Sequence, residues 1–123
     1  MHSLNLSVIC DVNAWLSLGD RVWYVTVIKT WGASPRPVGS IFAYNPDKDL
    51  IAGSLSGGCI EDDLLMQLKQ HQANRPFRLR YGESPEELKK FELPCGGTVE
   101  LIVEPVGQTQ LSHFKQISQS LRD

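Results

Sequence analysis

Gly53-Ser54-Leu55-Ser56-Gly57-Gly58-Cys59-Ile60-Glu61-Asp62-Asp63 is the stretch around which the chain is organised. Leu50-Ile51-Ala52 precedes it as a short apolar run that reads as a strand, and a helical pattern follows it. A glycine-rich turn from strand to helix lets the backbone approach a ligand closely. The first amides of such a helix have no partners within the helix, so the turn suits an anion. Cys59 falls at the helix start, where the dipole favours a thiolate. Glu61, Asp62 and Asp63 act in the opposite sense, because they oppose a bound anion and hold the thiol protonated. A helix terminus contributes only about 0.3–1 kcal/mol at an exposed site. One close carboxylate cancels that, so no strongly acidic thiol is expected.

Working outward, Leu4 to Leu18 carries apolar residues at a spacing of three or four, including Val8, Val12 and Trp15, and predicts an amphipathic helix ended by Gly19. Cys10 lies inside it as a packing or surface residue. Val22 to Ile28 is β-branched and aromatic, and its nearly continuous hydrophobicity predicts a strand buried on both faces. It leads into Gly32-Ala33-Ser34-Pro35-Arg36-Pro37-Val38-Gly39, where two prolines restrict the backbone around Arg36. Ser40–Tyr44 and Leu50–Ala52 then read as a hairpin closed by Asn45–Asp49. That turn is too short for a crossover, so the sheet is expected to be mixed rather than purely parallel.

Ile60, Leu64, Leu65 and Leu68 share one face of a helix running to about Gln72. Phe77 to Tyr81 alternates as a strand with one solvated face, and Arg75, Arg78 and Arg80 read either as that face or as a local anion-binding stripe. Ser84-Pro85-Glu86-Glu87 has the residues of a capping box and predicts a short helix to about Phe91. Leu93-Pro94-Cys95-Gly96-Gly97-Thr98 is a third glycine-containing loop. A strand over Val99–Val103 ends at Glu104-Pro105, and a final helix covers about 108–121. The expected fold class is α+β: one small domain with a mixed sheet of about five strands flanked by three or four helices.

Composition bounds the function. The 123 residues carry a net charge of −2, which gives the whole molecule no electrostatic attraction to nucleic acid or membrane. The longest nearly apolar run, Val22 to Ile28, is too short to span a bilayer. Three cysteines, Cys10, Cys59 and Cys95, have no metal-type spacing and do not suit a disulfide framework, so reduced thiols and a cytoplasmic location are expected. His2, His71 and His113 are scattered and form no metal motif. The sequence contains no Walker loop, no dinucleotide fingerprint and no serine–histidine–aspartate pattern. What remains are three loops with unusual backbone residues at strand ends, two of them pairing a cysteine with glycines. Convergent loops of this kind build ligand sites.

These three motifs, Gly32–Gly39, Gly53–Glu61 and Leu93–Glu100, resemble the N-terminal domain of the XdhC/CoxI family over about residues 4–105. Its members are accessory proteins for xanthine dehydrogenase and related molybdenum hydroxylases. The resemblance implies a chaperone rather than a catalyst, which binds the molybdenum cofactor as a transient ligand, assists its sulfuration and delivers it to the apoenzyme. The implied cofactor-binding positions are Ser34, Arg36, Ser56, Gly57, Gly58, Cys59, Glu61, Cys95, Gly96 and Gly97, with Cys59 and Cys95 able to contact molybdenum through the cofactor. The donor chemistry is compatible: thiolate suits a soft metal centre, glycine amides and Arg36 suit a phosphate, and Glu61 is an acceptor for a pterin amine edge. A molybdenum hydroxylase apoenzyme is the implied partner, and a sulfurtransferase partner and a homodimer stay open. Full-length members carry a second, Rossmann-like domain, for which residues 1–123 have no counterpart. Two other readings compete: a thiol redox or sulfur-transfer protein using Cys59 and Cys95, and a regulatory interaction module without a ligand.

Overall fold

The computed structural model describes residues 2–31, 38–54, 59–70, 74–81 and 98–122. The elements in order are α1 (His2–Ser17), β1 (Val22–Trp31), β2 (Ile41–Asn45), β3 (Leu50–Gly53), α2 (Cys59–Gln70), β4 (Phe77–Tyr81), β5 (Thr98–Val106), a 3-10 turn (Gln108–Gln110) and α3 (Leu111–Arg122). The strands form one sheet in the order β3-β2-β1-β5-β4. The expected helix after Ser84 lies outside the described residues.

The α+β class and the five strands agree with the sequence, but the sheet is not mixed. All four pairings are antiparallel. β3 and β4 do run in the same direction, as a helical crossover through α2 requires, but they sit at opposite edges and never pair. The antiparallel β2–β3 hairpin forms as expected, pairing Phe42 with Gly53 and Asn45 with Leu50.

β1 is covered on both faces. Trp23, Val25 and Val27 join Ile60, Leu64 and Leu68 of α2 in one core. Val22 joins Val8, Val12, Trp15 and Leu16 of α1 and Phe114 of α3 in the other. Tyr24 meets Phe114 edge to face, with ring centroids 4.9 Å apart. Asn13 locks α1 to α3 by donating to Ser118 Oγ at 3.1 Å and to the Phe114 carbonyl at 3.3 Å. α1 ends at Gly19, whose φ of 85° permits the reverse turn in which Asp20 N–H donates to Trp15 and Gly19 N–H to Leu16.

Two strands outrun their expected ends. β1 continues to Trp31 because an irregularity between Val27 and Lys29 absorbs Ile28, which lets Lys29–Trp31 pair with Glu100–Thr98. β5 continues through Pro105 to Val106. Its pairing with β4 stops at Val103, so past that residue one side of β5 needs no donor and a proline costs no ladder bond there.

The hairpin turn is tied to the α1 exit. Asn45 is fully buried, and its side chain donates to Asp20 at 2.9 Å and accepts from Lys48 N–H at 3.0 Å. Asp20 also ion-pairs with Lys48. Tyr44 O–H donates to Asp49 at 2.7 Å, and the phenol is pushed up to about 12 by burial and by this carboxylate. Burial, with the negative charge of Glu104, pushes Tyr24 to about 12 as well. Both phenols ionise more easily in the unfolded chain, at their ordinary value of 10. Their contribution to stability is therefore intact below pH 10 and is lost as the pH rises from 10 to 12. Urea midpoints across this range should fall, and Tyr24→Phe should flatten part of the decline.

Gly53 closes β3 with φ 85°, and a Cβ placed there would lie 2.7 Å from the Ile41 carbonyl oxygen and 2.9 Å from Val8 Cγ2. Gly19 has the same φ but nothing within 4 Å of its Cβ direction. Gly53→Ala should therefore cost about 2–4 kcal/mol, from backbone strain plus overpacking, and Gly19→Ala about 1–2 kcal/mol from strain alone. Paired urea denaturations check the difference, which reports the crowding of Gly53 against both β2 and α1.

Candidate functional site

Strand register fixes where the three sequence loops leave the sheet. Trp31, the last residue of β1, pairs with Thr98, the first of β5. Tyr81, the last of β4, pairs with Val99. Gly53, the last of β3, pairs with Phe42 near the start of β2. The C-terminal ends of β1, β3 and β4 and the N-terminal ends of β2 and β5 thus lie at one end of the sheet. Segments 32–37, 55–58 and 82–97 are all anchored there.

Of the candidate residues, Ser34, Arg36, Ser56, Gly57, Gly58, Cys95, Gly96 and Gly97 lie outside the described residues. Cys59 is the first residue of α2, as the glycine turn predicted. Glu61 is half-buried in the first turn and accepts from Ser54 Oγ at 2.9 Å. This bond joins the exit of β3 to the start of α2 and so brackets the glycine-rich segment at both ends. The carboxylate assigned to a ligand amine therefore already holds one protein donor.

In the same acidic run of α2, Asp63 is bonded to the sheet. Tyr81 O–H donates to it at 2.7 Å and Gln67 Nε2 at 2.8 Å. Tyr81 is 3% exposed, so the bond is largely shielded from water and ties the end of β4 to α2. Cys10 is half-buried on α1. Among the described residues no group of three or more His, Cys, Asp or Glu side chains is arranged to hold a metal ion. No helix among them is long and apolar enough to cross a membrane.

Sequence reasoning passed over Glu100. It is 2% exposed on β5, with Arg78 Nη1 and Arg80 Nη2 each 3.6 Å from its carboxylate. The signal was present: Glu100 breaks the apolar run of its strand while arginines alternate on the next strand. Neither fact alone gives the register that pairs them.

A cleft of about 690 Å³ opens at the opposite end of the sheet, lined by Arg21, Trp23, Pro46, Lys69, Pro105 and Gln110 among others. Its size suits a small molecule. Its two cations are already matched, Arg21 by Asp47 at 3.4 Å and Lys69 by Asp49 at 3.7 Å. It contains none of the candidate residues.

The family model of the XdhC and CoxI family matches residues 15–82, more than half of the chain, and the chain belongs to that family. Among solved structures, a Bacillus halodurans protein described as a xanthine dehydrogenase is similar over 91% of this chain, with 25% identity and a TM-score of 0.73. The match covers 34% of that protein, so this chain spans about a third of its length. Among curated proteins none matches the chain.

Tyr81→Phe removes one donor to Asp63 and keeps the ring. It should lower stability by about 1–2 kcal/mol, read from the urea midpoint. An unchanged midpoint would show that this hydrogen bond adds nothing to holding α2 on the sheet.

Proposed function

We propose that the chain is an accessory protein of molybdenum hydroxylase maturation. It binds the molybdenum cofactor as cargo and assists its sulfuration or its insertion into an apoenzyme of the xanthine dehydrogenase type. Family membership carries this reading, and the anchoring of three motif segments at one sheet end supports a single site for the cargo.

The residues suit that cargo. Cys59 is the first residue of α2, and the first amides of a helix have no partners within it. A thiolate there serves a soft metal centre, and the amides serve a phosphate. Cys95 supplies a second thiol from segment 82–97. Arg36, Ser34 and the glycines at 57, 58, 96 and 97 supply further donors and close backbone approach. The chain's own part is to hold the cargo, exclude competing thiols and release it to the acceptor enzyme.

The test is retention of purified molybdenum cofactor by single mutants, measured together with the urea midpoint. Cys59→Ser should lose retention at an unchanged midpoint and should do more damage than Cys95→Ser, because Cys59 couples the sulfur to the helix donors. A lowered midpoint with cargo still bound would make Cys59 a structural residue. A protein that never retains the cargo but carries a persulfide on either cysteine would support sulfur transfer instead.

A further inference from the structure

The acidic run that opens α2 is not uniform. Glu61 and Asp63 are half-buried, and Asp62 between them is exposed. Glu61 accepts from Ser54 Oγ at 2.9 Å, on the residue that follows β3. Asp63 accepts from Tyr81 O–H at 2.7 Å, on the last residue of β4. β3 and β4 are the two opposite edges of the sheet. One helical turn therefore reaches both edges at once.

The spacing makes this possible. Residues two apart on an α-helix lie about 200° apart around its axis. The side chains at 61 and 63 thus leave α2 on opposite flanks, while Ile60 and Leu64 are buried in the core beneath it. Turning the helix toward either edge stretches the bond to the other. Apolar burial is non-directional, whereas a hydrogen bond weakens steeply as it is bent. The two bonds therefore set the rotation of the helix more sharply than burial of Ile60 and Leu64 does. On the β4 side, Gln67 donates to Asp63 at 2.8 Å and to the Tyr81 hydroxyl oxygen at 3.2 Å, which closes a triangle. Tyr81 is buried, and a hydrogen bond shielded from water is electrostatically stronger. Cys59 is the first residue of the helix held in this way.

We propose that Glu61 and Asp63 are positioning residues of the candidate site, a two-armed clamp that fixes the first turn of α2, and with it the backbone of Cys59, between the edges of the sheet. The inference deepens the cargo reading above and rests on it for its consequence in binding. It also gives Glu61 a different part: the carboxylate acts through Ser54 rather than on the cargo.

The test removes the two donors and leaves both carboxylates in place. Ser54→Ala and Tyr81→Phe should each weaken retention of purified molybdenum cofactor about tenfold, the equivalent of one hydrogen bond to a charged group. If Glu61 instead met the cargo directly, Ser54→Ala would free its carboxylate, and retention would hold or rise. A second readout needs no cargo. A nitroxide on Cys59, in a Cys10→Ser, Cys95→Ser background, reports the mobility of the first turn of α2, and its spectrum should sharpen in both variants. Asn13→Ala is the control, because it breaks the bonds between α1 and α3 on the other face of the sheet. It should lower the urea midpoint and leave the spectrum unchanged. Unchanged spectra in both clamp variants, equal sharpening in Asn13→Ala, or sharpened spectra with full retention would each overturn the positioning role. A wild-type chain that retains no cofactor would overturn the cargo reading, and the spectra would then decide the clamp by themselves.

Discussion

The structure depends on burying the central strand β1 on both faces. Trp23, Val25 and Val27 point one way and Val22 and Tyr24 the other, so a single layer of helices cannot cover them. Each buried apolar side chain of this size contributes about 1.5–3 kcal/mol. Leaving either face open would therefore cost more than a small domain can spare. α2 on one side and α1 with α3 on the other follow from that requirement. β5, paired with β1 along the whole strand, brings the C-terminal part of the chain back to the centre.

The same pairing positions the chemistry. With β1 extended to Trp31 and β5 starting at Thr98, the segments before β5 and after β1 share an anchor. The hairpin and the crossover through α2 bring the glycine-rich segment to that end as well. Gly53 sets how closely β3 can approach α1, since both the Ile41 carbonyl and Val8 crowd its missing side chain. The Ser54–Glu61 bond then fixes the start of α2 relative to the strand exit. Strand register and two short, specific contacts thus set the end of the sheet from which the candidate segments leave.

Most of the elements were legible in the sequence. The helix face of Val8, Val12 and Trp15, the doubly buried Val22 run, the hairpin at Asn45–Asp49 and the start of α2 near Cys59 all carry local signals of periodicity, turn chemistry or charge. What was not legible depends on pairing between distant residues. No local pattern at Ile28 announces the irregularity that lets β1 continue, and Pro105 reads as a strand end until β4 is known to stop short of it. The sheet reads as mixed because direction follows from strand order, which places β3 and β4 at opposite edges. At the site, Glu61 was singled out from sequence, while Glu100 emerges only when Lys29 and Arg80 are set on either side of it. Ser34, Arg36, Cys95 and the loop glycines rest on the motif resemblance alone.

The central claim is that the segments anchored at one sheet end bring Cys59 and Cys95 into a single site. Pulsed electron spin resonance between nitroxide labels on these two cysteines, in a Cys10→Ser background, measures it most directly. β1 is about 33 Å long at the usual strand rise. One narrow distance distribution centred well below half of that length is expected. A distribution centred near or above the full strand length would place the two thiols apart and contradict it.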